Sequence, residues 1–169
     1  PWLGYLDKMA KVDEFVILDE VQLTDSSNMC RNRFLTKTGK ERYLTVSFEK
    51  DGYMQKRFCD VMLNKQINWQ RDHKNFILDT YRKLPGFDET WPKINHIFKK
   101  NYETAYEVSM DSIHALRDLF GIPTRLMYQS AIDYCRESKK NDLVLELCEA
   151  VHADAYLSGT GAKKYMELD

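Results

Sequence analysis

The stretch Phe15-Val16-Ile17-Leu18-Asp19-Glu20-Val21-Gln22 decides how the rest of the chain is read. Its apolar run is too short for a helix and does not alternate, which is the pattern of a strand covered on both faces. Two carboxylates follow at the carboxyl end of that strand, where open α/β sheets hold their ligands. There Asp19 and Glu20 can hold a ribose hydroxyl, a metal ion or an amine, or can simply cap a turn.

Upstream, Leu3, Leu6, Met9 and Ala10 recur at helical spacing over residues 3–11, and Asp13-Glu14 punctuates before the strand. A helix that feeds straight into a buried strand is half of a βαβ unit, whose other strand would precede Pro1. The sequence opens on Pro1 already in a helical pattern and stops at Asp169 just after a further helix begins. The expectation is one α/β domain over residues 1–169, truncated at both ends.

Downstream, Arg33-Phe34-Leu35-Thr36, a Thr38-Gly39 turn and Tyr43 to Phe48 predict a hairpin. Phe58 to Leu63 reads as a further strand after the Asp51-Gly52 turn. Helical spacing then dominates, over Trp69–Lys83, Trp91–Tyr102 and Ser109–Phe120, the last closed by Gly121. Thr124 to Ile132 reads as a strand, Asp142 to Val151 as a helix and Ala155-Tyr156-Leu157 as a short strand. A glycine-punctuated turn, Ser158-Gly159-Thr160-Gly161, leads to the last helix from Ala162. Together these predict an α/β fold with a mainly parallel sheet, a β-hairpin and a helical insert over about residues 65–120.

Composition narrows the function. The 25 basic and 26 acidic residues give a net charge of −1, so no global basic excess recruits nucleic acid. No apolar run reaches the roughly 20 residues that a membrane-spanning helix needs, and no secretory signal is read. Cys30, Cys59, Cys135 and Cys148 are never paired as CxxC, and His73, His96, His114 and His152 are equally scattered. Reduced thiols in a cytoplasmic protein without a structural metal are the expectation.

Two further segments can carry chemistry. Gly159 and Gly161 let backbone approach a ligand, Ser158 and Thr160 add hydroxyls, and amides at a helix start favour an anion. An ordinary strand-to-helix turn has the same composition, and the pattern is neither a Walker loop nor GxGxxG. Residues 31–42 hold Arg31, Arg33, Lys37, Lys40 and Arg42 against the single acid Glu41. Arg31 and Arg33 share a strand face, so two guanidinium forks can clamp a phosphate or carboxylate, unless this is only a solvated hairpin face.

Taken in order, Pro1-Trp2-Leu3-Gly4-Tyr5-Leu6-Asp7-Lys8, Phe15 to Gln22, Arg31-Asn32-Arg33, Tyr43-Leu44-Thr45-Val46 and Leu157-Ser158-Gly159 with Gly161-Ala162 and Tyr165 resemble the WbqC-like protein family. Trp69, His73, Tyr81 and Phe87 fit the same succession. The family is found in bacterial loci for O-antigen and other surface polysaccharides. Its members have a strand and a Gln-Pro segment ahead of the Pro-x-x-Gly-Tyr motif and continue past the Ser-Gly segment, which supports the expected truncation. A looser likeness links the opening helix and strand to the HIGH-motif nucleotidyltransferases, Rossmann-like enzymes. There a Gly-His at the first helix and a Ser-rich turn before a late helix bind ATP phosphates. Gly4-Tyr5 and Ser158 to Gly161 stand in those places, with Tyr5 where a catalytic histidine would be.

The resemblance implies a transferase of lipopolysaccharide assembly that moves an acyl or aminoacyl group from an activated donor to a sugar or nucleotide sugar. ATP or another activated nucleotide or acyl donor would be the cofactor. Gly4, Tyr5, Ser158, Gly159, Thr160 and Gly161 would cradle phosphates, Arg31 and Arg33 would stabilise developing charge, and Asp19 or His73 would be the base. The competing expectation is a non-catalytic module of the same pathway that binds a nucleotide sugar or serves as a scaffold.

Overall fold

The computed structural model describes residues 1–24 and 28–159. Helix α1 spans Leu3–Ala10 and buries Leu6 and Met9, whereas Leu3 and Ala10, expected on the same stripe, are exposed at its two ends. Strand β1 follows at Glu14–Ile17, with Phe15 and Ile17 buried. It pairs in parallel with β4, Arg125–Tyr128, from Glu14↔Arg125 to Ile17↔Tyr128. The buried Thr124 hydroxyl donates to the Met9 carbonyl at 2.7 Å, so the entry to β4 is tied to the end of α1.

Strands β2, Arg31–Leu35, and β3, Glu41–Thr45, form an antiparallel hairpin separate from that pair. The Thr36 hydroxyl accepts from the Lys40 amide at 3.1 Å across the hairpin loop, in which Gly39 takes the left-handed φ of +75°. The fold is thus mixed α/β, with a smaller parallel sheet than the alternation of elements predicts.

Helix α2, Trp69–Tyr81, is capped by the Asn68 side chain, which accepts from the Arg71 amide at 3.0 Å. Helix α3 is Phe87–Ile94, followed by a 3₁₀ turn at Asn95–Phe98. The single helix expected over Trp91–Tyr102 therefore starts four residues early and tightens early. Gly86 at φ +76° starts it, and Pro92 withholds one amide from its ladder.

Helix α4, Ala105–Leu119, begins on a capping box in which Thr104 Oγ1 accepts from the Glu107 amide at 3.2 Å and Glu107 Oε2 from the Thr104 amide at 3.1 Å. It joins two apolar clusters. Ala105 and Val108 pack with Phe58, Val61 and Trp69, whereas Met110 and Ile113 pack with Met9, Phe15 and Ile17 under the parallel strands. Helix α5, Lys140–Ala150, follows β4.

Two expected strands are corrected. Phe58 to Leu63 opens as a 3₁₀ turn at Phe58–Asp60 and then makes only isolated bridges, Phe48↔Leu63 and Met62↔Thr104. Its first two amides are taken by the exit from β1, Phe58 N donating to Val21 O at 2.8 Å and Cys59 N to Asp19 O at 3.0 Å, while those of Asp60 and Val61 close local turns onto Arg57 O and Phe58 O. Residues 155–157 form no strand and are exposed. They follow the end of α5, where His152 holds φ +55° and the Ala153 amide donates to Cys148 O at 2.9 Å.

Candidate functional site

The parallel register places Ile17 beside Tyr128, so β1 and β4 end together. The residues after both ends form one polar cluster. Asp19 is 3% exposed, and its Oδ1 accepts from the Ser130 amide at 2.9 Å while Oδ2 accepts from the Ser130 hydroxyl at 2.6 Å. Ser130 itself is exposed, in the 3₁₀ turn Gln129–Ala131 that continues β4.

Glu20, whose side chain is 11% exposed, sits between two guanidinium groups. Arg57 Nη1 donates to Oε1 at 2.8 Å, Arg136 Nη1 donates to Oε2, and the Tyr134 hydroxyl adds a bond to Oε2 at 3.1 Å. The other donors of Arg57 reach Asp60, at 2.7 Å from Nε and 3.3 Å from Nη2, and those bonds chiefly hold its cation charged. Arg136 also donates to the carbonyls of Gln129, Ser130 and Ile132 and lies 4.2 Å from the centre of the Tyr134 ring. Two half-exposed cations thus converge on one carboxylate, the donor array that holds a phosphate or carboxylate ligand.

The Tyr106 hydroxyl comes within electrostatic reach of Asp19. Burial, followed by the charge of Asp19, pushes Tyr106 up to about 12, and burial with Tyr106 and Tyr128 as neighbours pushes Tyr5 further up. His114 Nε2 and the Tyr128 hydroxyl are 3.2 Å apart, within hydrogen-bond distance.

The expected site residues do not all meet here. Asp19 does, whereas Tyr5 packs edge-on to Phe15 of β1 with centroids 5.0 Å apart. At Gly4 the Trp2 indole would lie 2.4 Å from an added Cβ, so close packing of the indole explains this glycine. Arg31 and Arg33 sit on the hairpin. The first stacks on Tyr43 at 4.6 Å and the second pairs with Glu41 at 2.9 Å, both Arg33 and Glu41 being exposed. His73 on α2 has its Nε2 3.1 Å from Thr45 O and its ring against Trp69, and burial lowers its pKa. The Ser158 hydroxyl donates to Gly159 O at 3.2 Å, and Gly159 faces open space. Thr160 and Gly161 lie outside the described residues, as does the helix expected from Ala162.

Sequence reasoning did not single out Arg57, Ser130, Tyr134 or Arg136, and noted His114 only as one of four scattered histidines. Among the described residues no group of three His, Cys, Asp or Glu side chains is placed to hold a metal ion, and no helix is long and apolar enough to cross a membrane.

The sequence pattern of the WbqC-like protein family matches residues 1–169 in full. The chain belongs to the WbqC-like protein family. Among its relatives is the uncharacterized protein Rv1507c of Mycobacterium tuberculosis, 27% identical over 168 residues that span 99% of this chain and 71% of that protein. No solved structure matches this WbqC-like chain.

Proposed function

We propose that this WbqC-like protein binds an activated, negatively charged donor at the carboxyl ends of β1 and β4. It transfers the donor's acyl or aminoacyl group to a sugar or nucleotide sugar in bacterial surface-polysaccharide assembly. The convergence of Arg57 and Arg136 on Glu20 carries the reading, because a donor phosphate can take the place of that carboxylate. ATP, a nucleotide sugar or an acyl-coenzyme A all present such an anion.

In this reading the fold is Rossmann-like, akin to the HIGH-motif nucleotidyltransferases, and the start of α1 at Gly4 and Tyr5 faces the donor phosphates. Ser158, Gly159, Thr160 and Gly161 supply the other half of the phosphate site. Arg31 and Arg33 meet the acceptor's charge from the hairpin, and Asp19 is the base. His73 is the weaker candidate for that role, since its ring already engages the Thr45 carbonyl.

One observation favours a non-catalytic binding or scaffolding module of the same pathway. Asp19 and Glu20 both spend their oxygens on bonds within the chain.

A thermal-shift panel of ATP, nucleotide sugars and acyl-coenzyme A tests the proposal. A ligand at about 100 times its dissociation constant adds roughly 2.7 kcal/mol of stability. A shift with one donor supports the reading, and no shift with any of them overturns it.

A further inference from the structure

We infer that Ser130 is a nucleophile within this site, forming a covalent ester with the acyl group before the group is passed on. The inference rests on the activated-donor reading and adds the route that the acyl group takes. Three observations meet on this side chain. Ser130 lies at the carboxyl end of β4 and is exposed, while Gln129 beside it is buried. Its hydroxyl donates to Asp19 Oδ2 at 2.6 Å, within the reach expected of a nucleophile and its base. The Ser130 amide fixes the other oxygen of that buried carboxylate at 2.9 Å, so the acceptor lone pair is aimed before any substrate arrives.

Asp19 makes no ion pair among the described residues, so no cation competes with the hydroxyl proton for its oxygens. Cys59 is the nearest rival, its amide bonded to Asp19 O at 3.0 Å. Burial and the charge of Asp60 push its thiol above the usual range, so it stays protonated at neutral pH.

The chemistry balances within the donor class already named. Ser130 Oγ attacks the carbonyl carbon of a thioester or acyl phosphate. The Oγ–C bond forms as the bond from that carbon to sulfur or phosphate oxygen breaks. The hydroxyl proton passes to Asp19 Oδ2 and on to the departing thiolate or phosphate. A hydroxyl or amine of the acceptor then attacks the acyl-serine ester. Its proton returns to Ser130 Oγ through Asp19, leaving the side chain as it began.

The full chain is incubated with p-nitrophenyl acetate, nitrophenolate release is followed, and the acetylated peptide is mapped by mass spectrometry. The expected result is a burst approaching one equivalent per chain, with the acetyl group on Ser130. Ser130→Ala abolishes the burst. Asp19→Asn slows it by roughly 10²-fold, the range for a positioned base, with the label still on Ser130. Ser130→Cys keeps the size of the side chain and is acetylated at the same position, which separates lost chemistry from lost folding. Label on Lys8 or Cys59, or label undiminished in Ser130→Ala, overturns the inference. Donor binding in the thermal panel without an acyl-Ser130 adduct defeats this inference and leaves the donor reading standing. An adduct without any donor shift does the reverse.

Discussion

Asp19 and Ser130, 111 residues apart in sequence, are joined by two hydrogen bonds that clasp the exit of β1 to the exit of β4. With Ile17 beside Tyr128 in register, the short parallel pair ends in a polar lock rather than a frayed edge. The same lock stands where an α/β fold presents its ligand site.

Removing the carboxylate opens that clasp. Asp19→Ala is expected to destabilise the protein by about 2–3 kcal/mol, since two bonds to a charged acceptor are lost. Ser130→Ala, which keeps the amide bond, costs about 1 kcal/mol. Urea unfolding midpoints at an unchanged slope measure both, and equal costs would mean that the hydroxyl bond alone carries the clasp.

His73 supplies a pH dependence. Burial lowers its folded pKa below the ordinary 6.5, so the unfolded chain takes up the proton first. Its contribution is present above pH 6.5 and is lost as pH falls toward the depressed folded value. Stability measured at neutral and at mildly acidic pH is expected to fall further in the wild type than in His73→Gln. Identical falls in the two proteins would show that the imidazole is not desolvated.

At the other end of the scale, Tyr5, Tyr102 and Tyr106 are all held above the ordinary 10 by burial, Tyr106 at about 12. Their contribution is complete below pH 10 and is lost as pH rises through the folded values. In an alkaline titration, part of the tyrosinate absorbance is expected to appear only as the circular dichroism of the fold collapses. Complete ionisation near pH 10 with the fold intact would contradict the packing of these phenols.

Helix α1, strand β1 and the hairpin were legible because each depends on neighbours within a few residues. Even so, β1 runs Glu14–Ile17 with alternating burial and leaves Leu18 exposed, and only Leu6 and Met9 of the expected α1 stripe are buried. The position of Asp19 and Glu20 at a strand end was legible for the same reason. Their partners were not. Arg57 is 37 residues from Glu20 and Arg136 is 116, and no local pattern links them. The Phe58–Leu63 run misled because its first amides serve the β1 exit and the next two close local turns instead of joining a ladder. The capping box Thr104-x-x-Glu107 was a local signal that places the start of α4 ahead of the Ser109 expected from apolar spacing.

His152 closes α5 with φ +55°, a conformation that costs a side-chain-bearing residue roughly 1–2 kcal/mol. His152→Gly is expected to stabilise the protein by about 1 kcal/mol, raising Tm by about 2–4 °C for a domain of this size. A lower Tm would mean that the imidazole makes compensating contacts.

The most direct test of the central claim is a calorimetric titration of wild type and Arg57→Ala with ATP, a nucleotide sugar and acetyl-coenzyme A. The carboxyl-end site predicts that one of these binds the wild type, and that its Kd weakens roughly tenfold or more when the Arg57 fork is removed. Equal affinity in both proteins, or no binding by any of the three, would contradict it.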